Sequence, residues 1–301
     1  MRKLLIGILT GCTLLSCKTQ QGMNSNKEAV FPAFDREAHR GGRGLMPENT
    51  IPAMIHAIDL GVETLEMDTH ITGDGKVVLS HDEFINPLFS LTSDGKEISA
   101  ANAKKYALYK MQYADLAKFD VGSKYYSLFP EQKKMKVAIP LLSDVIDSVQ
   151  TYLKKTGKKQ VFYNIETKSQ AKDDNVYNPD PETFVKLLMD VIESKKITPW
   201  VVIQSFDKRT LQVLHKKYPN VKTSWLIGNK LSLAANLEDL GFTPFIYSPA
   251  FKLVTPELVK DCHAWGMKIV PWTANTKEDI NTLKSLGVDG IISDYPNLLM
   301  N

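Results

Sequence analysis

Cysteine is nearly absent: the 301 residues carry three, Cys12, Cys17 and Cys262. Two of them lie close together near the N-terminus. If Cys17 is modified, Cys262 has no disulfide partner and reads as a small buried apolar residue. Long apolar runs are missing as well. The stretch 4–15 is apolar but too short to span a bilayer. At 43% hydrophobic and 24% charged residues, the composition excludes both a disordered chain and a multi-span membrane protein. No sign of charge dominates, since 37 Lys and Arg face 34 Asp and Glu for a net +3. The run Lys133, Lys134 and Lys136 reads as a solvated face, and with no nucleic-acid-binding motif no nucleic-acid partner is expected. The chain also lacks low-complexity segments, internal repeats and a glycine-rich nucleotide loop.

What is present begins with Met1-Arg2-Lys3, a short basic start before the apolar run, and together they read as a signal peptide. Leu14-Leu15-Ser16-Cys17 resembles the bacterial lipoprotein box, in which the cysteine is lipidated and becomes the new N-terminus. Leu9-Thr10-Gly11-Cys12 fits the same pattern but leaves a very short apolar region, and a plain secretory signal or uncleaved anchor is the alternative. The expected division is a lipoprotein signal over 1–17, a flexible tether over 18–33 and one domain over 34–301. Lipidation of Cys17 would hold that domain at a membrane surface of the bacterial cell envelope, on the periplasmic or extracellular side.

From Phe34 onward, short apolar runs alternate with helical periodicity. Strands are expected at 34–39, 62–69, 160–167, 200–206, 221–227, 244–248, 268–272 and 289–293. Helices are expected at 50–60, 142–155, 181–195, 208–218, 232–240, 256–265 and 277–286, several ending at a glycine suited to a left-handed cap. Asn49 or Thr50 caps the first, with Pro52 in its first turn. This α/β alternation predicts a parallel sheet closed into a TIM (β/α)8 barrel, with a doubly wound open sheet as the alternative. Asp74-Gly75 lies between two apolar runs and predicts a hairpin after the second strand, which would return His81 to the level of Asp68. The stretch 83–140, rich in Tyr, Phe and Lys, is too long for a structureless loop and reads as a small insertion, a lid or subdomain, with a short helix expected at 113–119.

Chemistry concentrates at the ends of the predicted strands. His39 can move protons near neutral pH, Arg40 can clamp a phosphate, and Gly41 permits close backbone approach. Taken alone, His39 also fits a structural histidine. Glu66 and Asp68 share one strand face and repel unless a cation or proton lies between them, or ordinary salt bridges neutralise them. Glu166 ends another strand and can complete a three-carboxylate site. Lys168, two residues on, reaches toward the same place. An all-oxygen ligand set without thiolate suits one hard divalent cation, Mg²⁺ or Ca²⁺. Trp272 either walls a pocket or belongs to the core. Ser205 lacks a nucleophile-elbow context, and Asp294 is either structural or a support for a site residue, with the structural reading favoured.

The ordered set His39-Arg40-Gly41, Pro47-Glu48-Asn49-Thr50, Glu66-x-Asp68, Asp74-Gly75, His81-Asp82 and Glu166-x-Lys168 resembles the glycerophosphodiester phosphodiesterase family. Trp272-Thr273-x-Asn275 and the closing 289–296 segment fit its C-terminal half. The resemblance implies a TIM barrel that hydrolyses glycerophosphodiesters to glycerol phosphate and an alcohol. It makes His39 and His81 the general acid and base, Glu66, Asp68 and Glu166 the ligands of one divalent metal, and Arg40 and Lys168 the neutralisers of phosphate charge. The attacking oxygen is left open between water and a neighbouring glycerol hydroxyl. After His81-Asp82, many members carry an Arg-Thr-containing segment where this chain has Glu83-Phe84-Ile85-Asn86-Pro87, which leaves the alcohol moiety undefined. A phospholipase-like or sphingomyelinase-D-like diesterase on intact lipids is the neighbouring alternative. A non-catalytic surface-binding lipoprotein is the alternative of a different class.

Overall fold

The computed structural model describes residues 29–300; the expected signal, the Cys17 lipidation site and most of the tether lie outside the described residues. Strand β1 (Asp35–Ala38) leads through a 3-10 turn at His39–Gly41 to α1 (Ile51–Leu60) and β2 (Thr64–Ile71). β3 (Val77–Leu79) folds back on β2, and a short α2 (Tyr113–Leu116) lies within the insertion. The regular alternation then runs α3 (Leu142–Thr156), β4 (Phe162–Thr167), α4 (Pro181–Ser194), β5 (Val201–Ser205), α5 (Lys208–Lys217) and β6 (Lys222–Ile227). It ends with α6 (Leu233–Leu240), β7 (Ile246–Pro249), α7 (Pro256–Ala264), β8 (Lys268–Ile269), α8 (Lys277–Leu286) and β9 (Gly290–Ser293).

Eight of these strands are parallel neighbours in the order β8-β7-β6-β5-β4-β2-β1-β9. Backbone hydrogen bonds from Asp289 N to Ile269 O and from Ile292 N to Pro271 O join the two ends, so the sheet closes into the expected barrel. β3 stands apart, antiparallel to β2, with Thr69 opposite Leu79 and Ile71 opposite Val77. The turn between them is the predicted Asp74-Gly75 hairpin, with Gly75 at φ 72° as the left-handed turn requires.

Local chemistry explains the helix limits. Thr50, not Asn49, caps α1 by accepting from Ala53 N, and Asn49 is freed for another task. Asp180, Ser232, Thr255 and Thr276 cap α4, α6, α7 and α8 in the same way. The main core lies between sheet and helices, where outward strand residues such as Leu65, Met67, Tyr163, Ile165 and Ile203 meet the apolar helix faces. Inside the barrel, Val202, Ile246, Val270 and Ile292 form a small apolar layer. Phe31, from the stretch read as tether, packs edge-on against Phe162 and Phe245 beneath that layer. Burial pushes the Cys262 thiol up to about 12, so it behaves as the apolar residue expected.

The insertion has its own core of Ile85, Ile98, Leu108, Leu116, Phe119, Val121 and Ile139, which also takes in Val78 of β3. Asp120 holds its loops together by accepting from Gly122 N, Ser123 N and Val137 N. Pro140 marks the return to the barrel, where its carbonyl accepts from Leu79 N. No helix among the described residues is long and apolar enough to cross a membrane.

Candidate active site

The barrel mouth gathers every sequence-proposed side chain among the described residues around one cavity of about 140 Å³: His39, Arg40, Glu66, Asp68, His81, Glu166, Lys168 and Trp272. Register explains the acids. In the parallel β2–β4 pair Asp68 lies opposite Glu166, and Glu66 sits two residues back on the same inward face. All three are at most 6% exposed, and one oxygen from each lies within 4.8 Å of the others.

Three buried acids cannot all keep their charge without help. Burial, with the charges of Asp68 and Glu166, pushes Glu66 well above the usual carboxylate range. Burial also raises Glu166, against the pull of Lys168. Asp68 goes the other way: burial opposes its charge, yet Arg40 and Lys168 hold it well below the ordinary range. Their positions are fixed from behind. Glu66 accepts from Arg40 N at 2.7 Å and from Gln204 Nε2 at 2.8 Å. Asp68 Oδ2 accepts from Asn49 Nδ2 at 2.8 Å, which is the task that keeps Asn49 from capping α1. Asp68 Oδ1 is buried and has no hydrogen-bond partner among the described residues. An orphaned carboxylate oxygen at the centre of an all-oxygen cluster fits a hard divalent cation.

The turn after β1 aims the first cationic group. Arg40 takes φ 52°, a left-handed conformation that a side chain makes costly, and this turns its N–H onto Glu66. Its guanidinium is 2.9 Å from Glu48 Oε1 and 3.2 Å from Asp68 Oδ2. Gly41 beside it must be glycine, because a Cβ there would sit 2.7 Å from the Ala53 side chain. Lys168 Nζ lies 3.0 Å from Glu166 and 3.7 Å from Asp68.

Each histidine is held by an acid. His39 Nδ1 is 2.5 Å from Asp294 Oδ1, and its Nε2 is 4.0 Å from Glu66. Asp294 also accepts from Arg43 and Asn275; burial opposes its charge, but His39 and Arg43 hold it well below the carboxylate range. Burial and Arg40 lower the pKa of His39. His81 enters from the hairpin, where Ser80 N donates to Asp68 O at 3.1 Å. Its Nδ1 is 3.0 Å from Asp82 Oδ1. His70, pushed down to about 4 by burial, stays neutral and contacts the His81 carbonyl at 3.3 Å. Trp272 donates Nε1–H to Ser248 O and meets Phe206 edge-on, so it walls the cavity on one side while packing against the barrel's inner apolar layer on the other.

Several participants escaped the sequence reading. For Asp294 the less favoured of its two readings holds, since it supports a site residue by lying against His39 from 255 positions away. Arg43, Gln204 and His70 carry no signal of their own, while Asn49 stands out only as a cap candidate and within the Pro47-Glu48-Asn49-Thr50 motif. Asp82 had one, since it follows His81 directly.

The sequence profile described as the Glycerophosphoryl diester phosphodiesterase family matches residues 39–298. A glycerophosphodiester phosphodiesterase of Caldanaerobacter subterraneus subsp. tengcongensis is 31% identical over 268 residues, covering 88% of this chain and 95% of that protein. One from Bacillus subtilis is 30% identical over 268 residues, covering 87% and 83%. A crystallised Silicibacter pomeroyi protein, provisionally assigned as a glycerophosphoryl diester phosphodiesterase, superposes with a TM-score of 0.79 at 28% identity. That superposition covers 89% of this chain and 92% of the other.

Proposed function

Because the chain belongs to the glycerophosphoryl diester phosphodiesterase family and is a phosphoric diester hydrolase, we propose that it releases glycerol 3-phosphate and an alcohol from glycerophosphodiesters. In this proposal one divalent cation, Mg²⁺ or Ca²⁺, is held by Glu66, Asp68 and Glu166. The supporting observation is the convergence of three buried carboxylates, one with an orphaned oxygen, on two histidines each paired to an aspartate. A bound cation supplies positive charge that offsets the charge growing on the phosphoryl oxygens. Arg40 and Lys168 add fixed positive charge at the same place.

The aspartates suggest how the histidines divide the work. Asp294, kept ionised, accepts only, so His39 carries its proton on Nδ1 and presents the Nε2 lone pair toward the metal-binding carboxylates. His39 is therefore assigned as the base that deprotonates the attacking oxygen. His81, with Nδ1 on Asp82, is assigned as the acid that protonates the departing alkoxide through Nε2. Removing either imidazole should lower kcat by about 10²–10⁴-fold. The test is glycerol 3-phosphate release by His39→Ala and His81→Ala proteins, alongside wild type with and without chelator. Full turnover by either variant breaks the assignment, and chelator-resistant turnover removes the metal.

A second reading extends the substrate to intact lipid diesters. Leu88, Tyr125 and Leu128 of the insertion are 54%, 52% and 64% exposed, and Leu128 adjoins Phe129, which packs beside Arg43 and Tyr295 at the mouth. Acylated diesters assayed beside deacylated ones decide it. We also propose that Cys17 is lipidated and anchors the enzyme to the bacterial cell envelope, which Cys17→Ser should abolish as a loss of membrane-fraction protein and of the lipid mass shift.

A further inference from the structure

In this barrel the helices run back against the strands, so helix C-termini and the loops that enter the strands gather on a floor opposite the mouth. Between α3 and α5 that floor is basic. Lys154, Lys155, Lys159, Lys196 and Lys216 are exposed there, and none pairs with an acid among the described residues. Glu193 is the one unpaired acid on the same arc among those residues, since Asp59, Glu63 and Asp147 are bound to Lys158, Arg36 and Lys195. We propose that this floor is a docking surface for an anionic lipid bilayer, which seats the barrel with its mouth turned away from the membrane. The role belongs to the face itself, whether or not Cys17 carries an acyl chain.

Helix dipoles account for only part of this charge. Lys154, Lys155 and Lys216 lie in last turns, but Lys159 and Lys196 lie in the loops beyond α3 and α4. Lys196 also sits at φ 57°, where glycine is favoured, so the local backbone does not select a lysine. Trp265 supplies the second ingredient of an interfacial face. It follows α7 on the same floor and is 57% exposed. Tryptophan settles at the headgroup level of a bilayer, where its apolar ring and polar N–H are both satisfied. The ground between it and the lysines is largely apolar. Gly266, its neighbour, lines a floor cavity of about 750 Å³ with Pro199, Pro219, Phe242 and Phe245, and Pro199 belongs to the loop that carries Lys196. The chain also enters its domain at this face. Phe31 packs against Phe162 and Phe245, and Val30 before it is 89% exposed and lines a second floor cavity with Lys158 and Lys159. A nucleic acid would meet the lysines but leave the apolar ground unused, which favours the bilayer. With the floor on the membrane, the mouth opens toward dissolved diesters rather than toward lipids of that same bilayer.

The test is sedimentation of the full chain with vesicles, with Cys17→Ser in every protein so that no acyl group contributes. The apolar stretch 4–15 is common to all of them and cancels in the comparison. Vesicles of phosphatidylglycerol and phosphatidylcholine in equal parts should bind the chain at least about tenfold more tightly than pure phosphatidylcholine. Lys155→Gln, Lys159→Gln and Lys196→Gln together should lower affinity for the anionic vesicles at least about tenfold, since each lysine near such a surface contributes about fivefold. The melting temperature should not change, because none of the three holds a structural partner. Brominated acyl chains should quench the emission of Trp265, read as the difference from Trp265→Phe. Equal binding to both vesicles, anionic binding untouched by the triple variant, or an unquenched Trp265 overturns the proposal. Absence of vesicle binding overturns it as well, and retention of an RNA oligonucleotide instead would give the lysines to a nucleic acid. Because Cys17 is replaced throughout, failure here leaves the lipidation proposal standing.

Discussion

The barrel contains two acidic pairs with the same spacing, one near its floor and one at its mouth, and they meet opposite fates. Asp35 and Glu37 on β1 are both 0% exposed, as Asp68 is on β2, with Glu66 at 1%. Near the floor neither inward carboxyl forms an ion pair among the described residues: Asp35 accepts from Thr64 Oγ1 and Glu37 from Asn164 Nδ2. Asp35 Oδ2 and Glu37 Oε1 have no hydrogen-bond partner among the described residues beyond one another. That pair relieves its repulsion by holding a proton; burial pushes Asp35 up to about 7 and Glu37 well above the usual range. At the mouth, Arg40 and Lys168 keep Asp68 charged, and Glu166 adds a third acid from the neighbouring strand. Burial and acidity are common to both. The cations and the third acid give the mouth cluster alone the donor set that fits a hard divalent cation.

The two clusters are joined by a hydrogen-bond chain. Asn164 Nδ2 donates to Glu37 and lies 3.1 Å from Gln204 Oε1, while Gln204 Nε2 donates to Glu66. The strongest attack on the contrast is therefore to neutralise one acid in each. Glu66→Gln should cost about 10³-fold or more in kcat/KM, as loss of a ligand to a catalytic cation does. It should also erase the rise in Tm on adding Mg²⁺ or Ca²⁺. Glu37→Gln should keep that Tm rise and stay within about tenfold of wild-type activity, the range for a group acting through an oriented neighbour. Loss of the metal-induced shift in Glu37→Gln would mean that floor and mouth act as one site.

Asp294 tests the mouth in a second way, because it is a buried acid that serves a histidine rather than a metal. Asp294→Asn leaves the shape but lets the amide present a donor to His39, favouring the wrong tautomer. The expected result is a fall in kcat of about 10²-fold with little change in KM and an intact metal-induced Tm shift. A variant that loses the metal shift as well would place Asp294 in the metal site.

Much of the barrel could be read in the sequence because its signals are local. The expected strands and long helices appear within a few residues of their places, stopped by Gly61, Gly157, Gly241 and Gly287 in left-handed conformations. β8 is the shortest, two residues, since Pro271 breaks the run. Of the insertion, the short helix expected at 113–119 appears as Tyr113–Leu116, but the rest was legible only as an excursion, because short 3-10 turns leave no period and Asp120 gathers its loops from a distance. In the site, residues at strand ends could be placed by counting. Those that orient them could not: Gln204 reaches Glu66 across 138 positions and Asp294 reaches His39 across 255. Nor could Asp35-x-Glu37 be told from Glu66-x-Asp68, since only the neighbours brought by the fold distinguish them.

The gentlest probe of the contrast is the pH dependence of stability. Asp35 binds its proton more tightly in the folded barrel, with a pKa of about 7 against 3.8 for the free side chain. Between those values the folded state holds more protons than the unfolded one, so stability is fullest near pH 4 and falls as pH rises toward 7. Replacing the carboxyl by an amide removes the charge that must be buried. Asp35→Asn should therefore match wild type near pH 4 and exceed it at pH 8, with a Tm about 3–6 °C higher. Thr64 Oγ1, the donor to Asp35, can still give its hydrogen to the amide oxygen, so the substitution leaves that contact in place. Activity should be unchanged, because the Asp35 side chain does not line the mouth cavity. The same experiment on a mouth acid has the opposite sign: Asp68, held charged by Arg40 and Lys168, favours the folded state at neutral pH, so Asp68→Asn should lower Tm there. Matching pH profiles for the two variants would show that the floor pair is paired with a cation after all.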